Sequence, residues 1–211
     1  MATFKNGILG GFSGKVGSVV GFQLGDKFVM RAMPRSRSAF TEKELENQQK
    51  FRMVQLYLSP FKDLLRVGFN NYYTKTGGFR AALSYTRKEA IKQDDDGICI
   101  DHELIKISGG NLAPAINPEV EIATHKEITI RWDTYNLNYL NESDQLMLLV
   151  YDPTSRAVCM RIFNGTFRKA GEFRVLPPQK LFDTQVNIYI GFVAADRNSQ
   201  SDSQYLGSFI L

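Results

Sequence analysis

The run QLMLLVYD, residues 145–152, is apolar on both parities. Leu146, Leu148 and Val150 fall on one face of an extended chain, and Met147, Leu149 and Tyr151 fall on the other. A strand in a half-solvated antiparallel sheet needs only one apolar face. This one must be covered twice. One parity suits the space between two sheets. The other must meet the helices of the same chain or another protein, because large exposed apolar patches are uncommon on soluble monomers. Met147, Leu149 and Tyr151 are accordingly expected as one of two partner-binding patches.

The same period of two runs through residues 111–211. EITIRW alternates Ile128, Ile130 and Trp132 against Thr129 and Arg131, and VNIYIGFVA places Val186, Ile188, Ile190, Phe192 and Ala194 on one face. With VEIA, QLMLLVYD, AVCMRIF, EFRV and YLGSFIL they make about seven strands in some 100 residues, the count of an antiparallel β-sandwich. Trp132 continues the inward parity of Ile128 and Ile130 and is expected in the core. Upstream the period is helical. Thr41 and Glu44 offer a capping box, Phe51, Val54, Tyr57 and Leu58 form an apolar face, and Ser59-Pro60 reads as an N-cap with Pro at N1 restarting a second helix. FRAALSYTRKEAIK, 79–92, is a third helix. The fold class expected is α+β in two modules: residues 1–110, a glycine-rich hairpin with two or three helices, and residues 111–211, a seven-stranded sandwich.

Seven glycines between residues 7 and 25 exclude a helix there, since each interior Gly costs about 1 kcal/mol relative to Ala. Gly25-Asp26 between VGSVVGFQL and KFVMRAM is instead the signal of a type II′ hairpin, with Leu24 opposite Lys27, Phe22 opposite Val29 and Val20 opposite Arg31. Two strands alone are marginal in water. Val19, Val20, Phe22, Phe28 and Val29 are therefore expected to contact something further, and strand addition between copies is one solution. The segment is also basic: residues 1–40 hold six Lys/Arg against one acid, whereas residues 101–211 hold ten against thirteen. Lys15, Lys27, Arg31, Arg35 and Arg37, interleaved with phenylalanines, form an alternative polyanion-binding ribbon that could follow a nucleic-acid backbone.

No motif names a reaction. Gly14-Lys15 behind the glycine run invites comparison with a phosphate loop, but Leu9 stands where that motif needs Gly and Val16 where it needs Ser or Thr. Asp94, Asp96, Gly97 and Glu103 fall at calcium-loop positions, yet Lys92 occupies the first, and a solvated turn is expected. The loop DRNSQSDS, 196–203, carries scattered oxygen donors. His102 and His125 are expected to be structural or surface residues, and Cys99 and Cys159, lacking any metal or redox spacing, small buried hydrophobes. No catalytic residue, metal or cofactor is expected.

EITIRW, LMLLVYD and LPPQKLFDTQVNIYIGFVAAD resemble the strand pattern of fibronectin type III modules. More broadly, KNGILGGFSGKVGSVVGF, followed by VMRAMPR and TEKELENQQKF, resembles a bacterial family of uncharacterised proteins; that resemblance implies no activity. With no Sec-type signal and no apolar run long enough to span a bilayer, a cytoplasmic protein away from membranes is expected. The leading function is a non-enzymatic interaction or assembly protein, a homo-oligomer or assembly component. Nucleic-acid binding is the alternative.

Overall fold

The structure, a computed structural model, describes residues 3–4, 10–35, 39–71, 77–94, 97–135, 137–139 and 141–211. It is mixed helix and sheet, with several antiparallel sheets. The chain separates into two compact units, Met1–Leu45 and Glu46–Leu211. The division therefore falls well before the expected boundary at residue 110.

In the first unit, β1 (Thr3–Phe4), β2 (Phe12–Val16), β3 (Val19–Leu24) and β4 (Lys27–Ala32) form a sheet in that order. The β3–β4 register pairs Leu24 with Lys27, Phe22 with Val29 and Val20 with Arg31, as the loop length dictates. Gly25 carries the positive φ, +59°, that the first position of the turn requires, and Gly17 at +57° does the same between β2 and β3. The hairpin thus gains its third and fourth strands from its own chain.

α1 (Glu42–Leu58) runs across the division, and a short 3₁₀ turn at Ser59–Phe61, α2 (Lys62–Gly68) and α3 (Gly78–Glu89) follow it in the second unit. At the start of α1, the Glu44 amide donates to Thr41 Oγ1 at 3.3 Å and the Thr41 amide to Glu44 Oε2 at 3.0 Å, which closes the capping box. Ser59 is not an N-cap. Its hydroxyl donates back to the Gln55 carbonyl at 2.5 Å, the helical path continues through Pro60, and the break comes at Phe61, whose φ and ψ of −116° and 31° leave the helical region. Val54, Tyr57, Leu58, Phe61, Leu64, Leu65 and Gly68 are buried as the spacing implies, while Phe51 is exposed.

A small hairpin, β5 (Ile91–Asp94) and β6 (Gly97–Ile100), leads into seven further strands: β7 (Ile116–Ile122), β8 (Ile128–Asp133), β9 (Gln145–Tyr151), β10 (Val158–Arg161), β11 (Glu172–Val175), β12 (Gln185–Val193) and β13 (Gln204–Ile210). They form a four-stranded sheet, β10-β9-β12-β13, and a three-stranded sheet, β11-β8-β7. Two cores meet at β9. Leu146, Leu148 and Val150 join Ile188, Ile190 and Phe192 of β12 and Ile128, Ile130 and Trp132 of β8 in a core shared by both sheets. Met147, Leu149 and Tyr151 join Tyr189 and Val193 against Val54, Leu58, Phe61, Leu64, Leu65 and Phe69 of the helical segment.

That second cluster explains both the doubly apolar strand and the position of the boundary. The helices cover the outer face of the four-stranded sheet and cannot leave it without exposing a core. It also corrects the second expected patch. Met147, Leu149 and Tyr151 are at most 1% exposed and are covered by helices of their own chain, so they offer nothing to a partner.

Candidate functional site

Among the described residues of Met1–Leu45, only Gly21 is buried. Sheet register then decides what each face presents, because alternate residues of a strand point to opposite sides. Lys15 pairs with Val20 and Val20 with Arg31, and the next rows are Phe22 with Val29 and Leu24 with Lys27. These residues share one face. The Arg31 guanidinium lies 5.6 Å from the Phe22 ring centre, a cation–π contact on that side. The opposite face carries Phe12, Val16, Val19, Gln23, Phe28, Met30 and Ala32 about the Gly14–Gly21 pair. The sheet is two-sided: one face holds three cations among aliphatic groups, the other holds no charge.

The Phe12 ring lies over Gly21, where an added Cβ would stand 2.5 Å from the ring and 2.6 Å from the Phe12 carbonyl oxygen, and Phe28 likewise crowds Gly11. Here glycine serves close approach. Even so, Val16 is 45% exposed, Phe28 47% and Met30 67% on the neutral face, and Leu24 is 64% exposed on the other.

The expected contact residues are therefore split. Val20, Phe22 and Val29 stand with the cations, and Val19 and Phe28 on the neutral side. Of the expected polyanion ribbon, Lys15, Lys27 and Arg31 share a face and Arg35 is exposed just beyond β4, whereas Arg37 lies outside the described residues. Gly14-Lys15 lies inside a strand and opens no helix, so it lacks the amide cradle of a phosphate loop.

The remaining candidates sit in Glu46–Leu211. Asp94 and Gly97 flank the β5–β6 turn, Lys92 is ion-paired with Asp101, and Asp96 lies outside the described residues. Cys99 is half-buried rather than buried. Its thiol donates to Asp94 Oδ2 at 3.1 Å, and that bond, followed by burial, raises its pKa. Cys159 is buried and also raised, so neither thiol is biased toward the thiolate that a nucleophile needs. In the 196–203 loop, Asp202 Oδ2 pairs with Lys106 at 2.6 Å while its Oδ1 accepts from the Gly110 amide at 3.1 Å, so this carboxylate ties two loops together. Beside them an open polar cleft of about 540 Å³ is lined by Asn71, Gly109, Asn111 and Gln200. Among the described residues no group of three or more His, Cys, Asp or Glu converges. No helix among them is long and apolar enough to cross a membrane.

His125 is exposed, 3.4 Å from Glu127. His102 is built in: its Nδ1 lies 2.9 Å from the Tyr57 hydroxyl, the two rings stack at 5.6 Å, and its carbonyl accepts from Tyr189 Oη at 2.8 Å. Burial lowers the His102 pKa against the attraction of Asp101, and burial raises those of Tyr57, Tyr151 (to about 12) and Tyr189. A second group carries no sequence signal at all. Arg168, 4% exposed, pairs with Asp144 at 3.1 Å, lies 3.9 Å over the Phe192 ring and donates to the carbonyls of Ala113 and Pro114. Both groups join distant segments of the unit.

The model of the family of unknown function DUF6266 matches residues 11–207, nearly the whole chain. The chain belongs to that family. No curated protein matches it. The matched span begins just before β2, so β2, β3 and β4 of the two-sided sheet lie within the family's shared region.

Proposed function

We propose that the chain is a non-enzymatic interaction protein whose N-terminal sheet docks and whose residues 46–211 serve as its scaffold. One observation carries this reading: a four-stranded sheet without a single buried described side chain, apolar on one side and cationic-apolar on the other. Three or more strands become stable when an apolar face is covered, and here the described residues of the unit form no core of their own. For the scaffold we propose a fibronectin type III-like sandwich. Read in chain order as A, B, C, C′, E, F and G, β7 to β13 give an A-B-E sheet beside a C′-C-F-G sheet, which supports that assignment.

The test is the mass of the full chain by light scattering from about 1 to 100 μM, the range where weak contacts appear. We expect mass to rise with concentration. The double variant Phe22→Asp/Phe28→Asp, one change on each face, should abolish the rise while leaving the near-ultraviolet signal of Trp132 intact. An unchanged rise in that variant would sink the reading.

A second reading has its own observation: Lys15, Lys27 and Arg31 on one face with Phe22 match a polyanion-binding surface. It calls for single-stranded oligonucleotide anisotropy against salt. Binding that weakens steeply with salt and disappears in Lys15→Glu/Arg31→Glu would favour this reading over protein docking.

A further inference from the structure

We infer that the neutral face of the N-terminal sheet, Phe12, Val16, Val19, Phe28 and Met30, packs against the same face of a second copy of this chain. This rests on the reading of the sheet as a docking element and names its partner. In a two-fold contact the same patch meets itself, so residues near the axis oppose their own kind. Apolar side chains tolerate that. Cations do not. Pairing through the other face would set Lys15, Lys27 and Arg31 against the same three cations, and like-charge juxtaposition across an interface is strongly disfavoured. The neutral face brings no charge to the contact, and the two stacked sheets, spaced about 10 Å apart, create the apolar core that one sheet lacks. Phe12 lying on Gly21 keeps the middle of the face filled and low. The cations are left facing outward.

The experiment compares two exposed positions on opposite faces of the full-length chain after nuclease treatment. Met30 on the neutral face is 67% exposed and Leu24 on the cationic face 64%, so an aspartate at either introduces no buried charge within the sheet. By sedimentation, wild type should form a dimer. Met30→Asp should raise the dimer dissociation constant at least about tenfold, which corresponds to 1.4 kcal/mol, and Leu24→Asp should leave it within about twofold. Mixing Met30→Asp with Met30→Lys should restore dimer above either variant alone, a gain that loss of folding could not produce. A monomeric wild type overturns both this inference and self-association. A dimer weakened by Leu24→Asp and not by Met30→Asp overturns the inference alone, because the sheet then docks by its cationic face. A dimer that neither variant weakens, or a mixture that gains nothing, places the contact elsewhere and overturns it as well.

Discussion

Trp132 is 5% exposed, its indole N–H donates to the Arg168 carbonyl at 2.8 Å, and its ring meets Phe192 edge-on at 5.6 Å. Parity alone places it in the core. The hydrogen bond that fixes its orientation comes from a residue 36 positions away and is invisible in the sequence. We expect Trp132→Ala to lose about 3–5 kcal/mol in urea unfolding, from the cavity and the orphaned carbonyl together. A loss under about 1 kcal/mol would show that the site collapses or that the indole packs loosely. His102 supplies a pH dependence whose sign is fixed by burial. Its folded-state pKa lies below the ordinary imidazole value of about 6.5, so the folded state resists protonation. The contribution of His102 is complete above that value and is lost as pH falls through the folded-state pKa. Asp101, held below the usual carboxylate range chiefly by Lys92, acts only in a more acidic window. The urea midpoint should fall between pH 7.5 and 5.5 in wild type and fall less in His102→Asn. Parallel slopes in the two proteins would remove His102 as the cause.

At the scale of elements, β9 and α2 decide how the second unit is layered. Gly68 closes α2 where an added Cβ would come within 2.0 Å of the Ile107 carbonyl oxygen, and its own carbonyl accepts from the Gly109 amide at 3.0 Å. Backbone therefore meets backbone, and a side chain at 68 would force the helix away. The two apolar parities of β9 were legible as a demand for two covers, with Met147, Leu149 and Tyr151 on the side away from the other sheet; that the helices of the same chain supply that cover was not, because it depends on contacts between the helical segment and a strand far along the chain. Leu149→Asp separates the two alternatives. Since Leu149 is fully buried under the helices, an aspartate there should abolish the cooperative transition seen by circular dichroism, with no folded monomer released. A folded Leu149→Asp protein of reduced mass would instead restore Leu149 as a partner contact.

At the scale of the molecule, the charge divides as the compact units do. Residues 1–45 carry seven Lys/Arg against three acids and residues 46–211 nineteen against nineteen, so the whole net charge of +4 belongs to residues 1–45. Both cores lie in 46–211. A fragment of those residues should therefore keep one sharp thermal transition within a few degrees of the full chain and should no longer bind a cation exchanger near neutral pH. A broad, early transition would show that residues 1–45 contribute to folding the rest.

Local rules were enough for the strands within residues 111–211, the capping box, the Gly25-Asp26 hairpin and its register, and the inward side of Trp132, but not for Ile91 and Lys92, which leave the expected third helix and start β5. Each follows from steric limits on one residue or from a repeat within a few residues, which a chain carries wherever it folds. Tertiary structure alone decided that the helices belong to the C-terminal sheets, that Met147, Leu149 and Tyr151 lie beneath them, that Arg168 finds Asp144, and that the N-terminal sheet sorts its cations onto one face. The first three depend on surfaces brought together from tens of residues apart. The last depends on β2 joining β3 and β4 in register, since only that alignment puts Lys15 beside Val20 and Arg31 and leaves Phe12, Phe28 and Met30 on a side without charge.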